Sequence, residues 1–261
     1  MTALAPATLL PRGFSRTYLQ LDIRRVVRNR RAMMFTLAMP TLMYLVFGAA
    51  QHYGGDKIGN ANTSAYVMIH MAIYGAILAA ASTGASVALE QQAGWTRTLR
   101  LTALSTGGYV LTKVFVALTV AALPVILLTI VGTASGARAP AADILAAVII
   151  GWLGSSIFAA FGLAVGSALK ADAAIQVQGG LLTVLAFAGN VFVPMSGHML
   201  TFAQFTPMYG VNALATYPIT RGATVNGDHV SLLVMIVNVI VWAAIMVGAA
   251  SYFLRRGTER Q

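Results

Sequence analysis

Apolar residues fill six stretches of this chain, at 32–53, 65–89, 109–134, 142–169, 175–195 and 230–254, the first five separated by short polar or basic intervals. A helix needs roughly 20 mainly apolar residues to cross the hydrocarbon layer of a bilayer, so the pattern predicts six membrane-spanning helices. Residues 14–31 have a different period. Leu19, Ile23, Val26 and Val27 fall on one side of a helix and Arg24, Arg25, Arg28 and Arg31 on the other, as in a helix lying along a membrane surface with its Arg toward anionic headgroups. The same residues also serve as a plain basic flank of the first span. The segment 196–229, punctuated by Pro207 and Pro218 and preceded by Pro194, is too broken to span and predicts a re-entrant or interfacial pair of short helices on the outer side before the last span, with a plain external loop as the alternative.

Composition agrees with the pattern. Of 261 residues 58% are hydrophobic and 9% charged, against about a quarter charged in an ordinary soluble domain. The intervals are too short to fold a separate soluble domain, and the chain reads as one transmembrane domain over 1–261. There is no cysteine, which excludes disulfides and thiolate metal sites.

The net charge of +10 changes the picture only through its distribution. Fourteen of the 17 Lys and Arg lie before the first span, in the 90–113 loop, at Lys170 or in the tail; Lys57, Arg138 and Arg221 lie on the other side. Basic residues collect on the cytoplasmic side of membrane proteins, so both termini are expected in the cytoplasm and nucleic acid is not needed as a partner. An Arg-rich start running into Phe47-Gly48-Ala49-Ala50 also reads as a signal peptide, but its removal leaves five spans and breaks the charge pattern.

Candidate chemistry is sparse. No phosphate loop of the form G-x-x-x-x-G-K-[ST], no H-E-x-x-H and no paired carboxylates occur, so the chain is expected to be no enzyme and to hold no cofactor or metal. Ser155 or Ser86 with His70 is the only conceivable nucleophilic pair. Glu90, Lys113, Asp143 and Lys170 sit near span ends, leaving His70 as the one ionisable candidate at depth; Gln176, Gln178, Asn190 and Asn238 read as helix-packing groups. Gly75 with Ala79, Ala80 with Gly84 and Gly162 with Gly166 form small-residue faces for close helix approach, within the chain or between copies. Pro40 and Pro124 are expected to kink spans one and three.

After the second span comes Glu90-Gln91-Gln92-Ala93-Gly94-Trp95-Thr96-Arg97-Thr98-Leu99-Arg100-Leu101. Trp95 and the Leu pair are apolar groups in a basic loop and call for a docking partner. Glu90, Gly94, Trp95, Leu99, Ser105 and Lys113, with the basic N-terminal helix, the six spans and the broken segment before span six, resemble the permease subunits of type 2 ABC exporters. Gln91 and Gln92 stand where that family often has acidic residues. The resemblance implies a half-transporter: a second permease subunit, identical or a paralogue, and two ATPase subunits on separate chains that bind ATP and Mg. It places the coupling loop at Glu90, Gly94, Trp95, Thr96, Arg97, Leu99 and Leu101. The short link at 54–64 is similar to the compact drug, lipid and polysaccharide exporters, which implies multidrug or antibiotic export from a bacterial plasma membrane. Phe47, Tyr66, His70, Tyr74, Asn190 and Phe192 are candidates for the path of a lipophilic or amphipathic substrate. Competing readings are a secondary transporter, which calls for internal repeats and midplane charge, and a membrane scaffold with no ATPase.

Overall fold

The computed structural model describes residues 16–94 and 106–259. The fold is helical: α1 (Arg16–Arg28), α2 (Arg30–Tyr44, continued by a π-turn over Leu45–Ala49), α3 (Thr63–Ala85), α4 (Val87–Gln92), α5 (Thr106–Ala134), α6 (Ala141–Ala168), α7 (Ala171–Ala188), α8 (Gly197–Ala203), α9 (Pro207–Thr220) and α10 (Leu232–Glu259). Among the described residues, five helical stretches are long and apolar enough to cross a membrane, and a sixth is formed if α1 and α2, bent by 59°, count as one broken span. The chain is therefore a multi-pass, all-α membrane protein.

The spans alternate in direction. One end of the bundle carries α1, α4, the start of α5 and Lys170, and is here the basic end; the other carries the turns at 50–62 and 135–140 and the pair α8 and α9. The first and fifth spans are bounded differently from the apolar stretches. The first span stops at Ala49 instead of 53. The fifth begins at Ala171 and ends at Ala188 instead of 195, because Gly189 and then Asn190, in left-handed conformation (φ 59°), end the helix. On α1, Leu19, Ile23 and Val26 pack against the cluster that includes Val116 and Val120 of α5, but Val27 is turned outward and is 42% exposed.

The long helix through α3 and α4 is the hub. Of its most apolar window 89% is buried, against 17% for α10, so the central helix is wrapped by protein while α10 presents most of its surface outward. α3 begins where Asn62 caps it, the side-chain carbonyl accepting from Ala65 N at 3.0 Å. Asn62 also closes a two-residue hairpin, β1 (Lys57–Ile58) against β2 (Ala61–Asn62), in register Lys57 to Asn62. Gly59 turns it at φ 57°, and a Cβ there would strike the Ile219 and Thr220 backbone of α9. The Asn62 amide reaches the Gly136 carbonyl at 2.9 Å, which ties hairpin, α3 and the α5–α6 turn together.

The small-residue faces are used inside the chain. Cβ atoms at Gly84, Gly162 and Gly166 would fall on backbone across the α3–α6 contact, and at Gly75 on the rings of Pro124 and Pro40. Both prolines thus fill the groove at Gly75, and both lie within helices that continue past them. Buried Tyr44 links three spans, its hydroxyl meeting Ser64 Oγ at 3.0 Å and Ser135 Oγ at 2.9 Å.

The 196–229 segment does form two short helices. At 1.5 Å per residue, the 14 residues of α9 extend about 21 Å, short of the roughly 30 Å a span requires. α10 clamps their junction: Asn238 Nδ2 donates to the carbonyls of Gln204 (2.6 Å) and Thr206 (3.0 Å), and Trp242 Nε1 to that of Phe205 (2.9 Å).

Candidate functional site

At the basic end, charged side chains from α1, α4 and α5 converge in the interior. Asp22 and Arg25 lie three residues apart on one face of α1, Tyr109 and Lys113 one turn apart on α5, and Glu90 in the last turn of α4. The Lys113 ammonium bonds Asp22 Oδ2 at 2.7 Å and Glu90 Oε1. Arg25 bonds Asp22 Oδ1 at 2.7 Å and also Glu90, and the Tyr109 hydroxyl donates to Glu90 Oε2 at 2.6 Å. Tyr18 and Tyr109 stack with ring centroids 6.4 Å apart, and the Lys113 ammonium lies 5.9 and 5.4 Å from them, within cation–π range.

Asp22, Glu90 and Lys113 are each at most 4% exposed. Burying charge in a low-dielectric interior is costly unless every ion is paired and its remaining lone pairs are satisfied. Two carboxylates against two cations meet the first condition, and the Tyr109 hydroxyl helps to meet the second. The placement matters as much as the chemistry. Glu90 stands just before the 95–105 loop, and Tyr109 and Lys113 stand just after it, so both stems of that loop are fastened to α1.

The sequence reading put Glu90 in the docking loop itself. The structure buries it, with its carboxylate bonded to Arg25, Tyr109 and Lys113. Gly94 is exposed at the loop's start, with φ 68°. Trp95, Thr96, Arg97, Leu99 and Leu101 lie outside the described residues. The sequence pattern singles out neither Asp22 nor Tyr109 and places Arg25 in the row facing headgroups; the i, i+4, i+7 spacing of Tyr18, Asp22 and Arg25 on one helix face is the available signal.

The second feature is at the opposite end, a cavity of about 430 Å³ between the end of α2, the start of α3 and the chain after α7. It brings together Phe47, Tyr66, His70, Asn190 and Phe192. Tyr74 stands behind it, its ring edge-on to Phe192 at 4.7 Å, and Phe187 meets Phe192 at 5.1 Å. The Tyr66 and His70 rings are 4.2 Å apart, and His70 Nδ1 bonds the Tyr66 carbonyl at 3.1 Å. Asn190 has a structural duty too, its side-chain carbonyl accepting from Met195 N at 2.6 Å. Apolar and aromatic walls with few convergent polar groups suit a lipophilic ligand. A wider, open groove of about 900 Å³ lies beside the hairpin, with Lys57 and Arg138 on its walls.

The alternative nucleophiles are engaged elsewhere: Ser155 Oγ donates to the Trp152 carbonyl at 2.6 Å and Ser86 Oγ to the Thr83 carbonyl at 2.7 Å. Gln178 bonds Ser82 across α7 and α3 at 3.3 Å, whereas Gln176 is exposed. Residues 16–219 match the family described as ABC-2 type transporter. No individual curated protein matches the chain.

Proposed function

The chain belongs to the ABC-2 type transporter family, and from that premise we propose that it is the permease half of an ATP-driven exporter. Permeases of this family generally work with ATPase subunits. Two such subunits, on separate chains, bind ATP and Mg and dock at the basic end. A second permease subunit, the same chain or a paralogue, completes the path, and a lipophilic or amphipathic molecule such as a drug, antibiotic or lipid leaves the cytoplasm or inner leaflet. This chain performs no catalysis itself. The observation that carries the reading is the buried ion cluster, because a push on the 95–105 loop is delivered through Glu90, Tyr109 and Lys113 to α1, α4 and α5 together. Pairing of two permeases rests on the half-transporter organisation alone, since the small-residue faces are consumed within one chain.

The basic end is cytoplasmic in this reading, with both termini there, in a bacterial plasma membrane. The α1 helix runs along the inner surface with Arg24 and Arg28 toward headgroups, and α8 with α9 forms a re-entrant pair on the outer side. Cysteines placed at Lys57 and Arg221 should react with an impermeant maleimide in intact cells. Protection of both, with reaction at Lys170, would invert the orientation.

Trp95 is the anchor expected to seat the ATPase subunit. Truncating such an anchor typically costs on the order of 2 kcal/mol, roughly thirtyfold in binding. The Trp95→Ala variant should insert normally yet lose its ATPase subunits on purification, or keep them with hydrolysis uncoupled from transport, whereas Thr96→Ala should be mild. Unchanged transport and retention in Trp95→Ala would move the docking site to the Lys170–Asp172 connection.

A further inference from the structure

Beside the aromatic cavity lies a second, much smaller recess of about 20 Å³, room for one water or one hydroxyl group. The two share Tyr66, His70 and Asn190 as a common border. The far wall of the recess includes Asn212 of α9 and Thr224 of the loop before α10. Asn212 is 1% exposed. Its amide Nδ2 donates to the Met208 carbonyl at 3.0 Å, but its Oδ1 has no partner among the described residues, and neither has the buried Thr224 hydroxyl. At the border, His70 Nδ1 faces a carbonyl, which only accepts, so Nδ1 carries the proton and Nε2 is left as an acceptor. The recess therefore offers an unpaired acceptor, Asn212 Oδ1, together with the Thr224 hydroxyl, which donates or accepts, and a buried polar atom left unpaired bears its full desolvation penalty.

The complement of this pair is one group that donates to the Asn212 amide oxygen and can accept from the Thr224 hydroxyl, which is what a hydroxyl does. A cationic donor is disfavoured, because no carboxylate lines the recess: Asp56 borders only the larger cavity, and Asp228 lines neither. We propose that the ligand is a neutral amphiphile with a hydroxyl head, the hydroxyl donating to Asn212 Oδ1 within reach of Thr224, and the apolar body lying among Phe47, Phe187 and Phe192. Only the description of this ligand as cargo rests on the exporter reading; the binding chemistry stands without it.

The test uses the full chain in lipid nanodiscs, without ATPase, and compares 1-dodecanol with dodecyl methyl ether, which matches it in length but cannot donate, by native mass spectrometry. The alcohol should bind at least tenfold more tightly. Asn212→Leu should bring the alcohol down to the ether's level and leave the ether unchanged, which also reports that the cavity is still folded. Equal binding of the two probes to the unaltered chain, as follows if an ordered water keeps the recess, overturns the proposal, as does an alcohol preference that survives Asn212→Leu. If Asn212→Leu binds neither probe, Thr224→Val decides: a severalfold smaller preference supports the proposal and an unchanged one overturns it. An alcohol preference with no ATP-driven transport by the assembled complex would instead sink the exporter reading alone.

Discussion

Lys113→Met is expected to lower the melting temperature of the detergent-solubilised protein by on the order of 10 °C. The lysine is the cation shared by Asp22 and Glu90, and its side chain is 3% exposed. Removing it leaves two buried carboxylates with only Arg25 between them. Breaking a buried pair by deleting one partner costs about 3–5 kcal/mol, because an uncompensated charge stays in the interior, and for a chain of this size each kcal/mol moves the midpoint by about 2–4 °C. Glu90→Gln should be gentler. It leaves an excess positive charge, but Arg25 is 47% exposed and can carry that charge into solvent. The double change Lys113→Met with Glu90→Gln restores neutrality and should recover much of the loss, the non-additivity expected of groups that share partners. A Lys113→Met protein melting within about 2 °C of the parent would mean that water reaches the cluster. The recovered double variant also separates two roles: if it folds and binds ATPase yet transports poorly, the ions transmit motion; if it transports normally, they only hold α1 in place.

The spans and their alternation were legible from the sequence because burial in lipid writes itself as long apolar runs. Charge-pair partners were not. Asp22 and Lys113 are 91 residues apart, and a local pattern records only that each is charged near a span end. The helical face of α1 was read correctly for Leu19, Ile23 and Val26, but Arg25 was assigned to headgroups. Its neighbour Asp22 breaks the basic face one turn earlier, and that interruption marked a packed contact. The gathering of Phe47, Tyr66, His70, Asn190 and Phe192 around one cavity was not legible either. What sequence could offer was their chemistry; the short hairpin and the left-handed turn at Asn190 supply the geometry. The small-residue faces were visible, but whether they met within the chain or between copies depended on the α3–α6 packing.

That packing sets the other large effect. Gly162→Val is expected to abolish the monodisperse peak in fluorescence-detected size exclusion, with Gly162→Ala clearly weaker than the parent. A Cβ at Gly162 would fall on the carbonyl group and Cα of Ala81, and one at Gly84 on the Ala159 carbonyl and the Leu163 amide. Overpacking a core ordinarily costs about 1–3 kcal/mol, because side chains shift into other rotamers. Here the obstacle is backbone of the central helix, which has no rotamer to change, so α3 and α6 must separate along the whole contact. In a membrane that contact is held by close van der Waals approach, not by a hydrophobic drive, and a small separation loses most of it. Gly248 supplies the control. It lies in α10, exposed, with nothing within 4 Å of an added Cβ, and Ala there should be neutral or slightly stabilising, since Gly in a helix interior costs about 1 kcal/mol relative to Ala. If Gly162→Ala behaves like Gly248→Ala, the helices are not in backbone contact there. If Gly162→Val folds and merely converts a dimer to a monomer, the small-residue face belongs to the interface between two permeases, and the intramolecular packing described above is wrong.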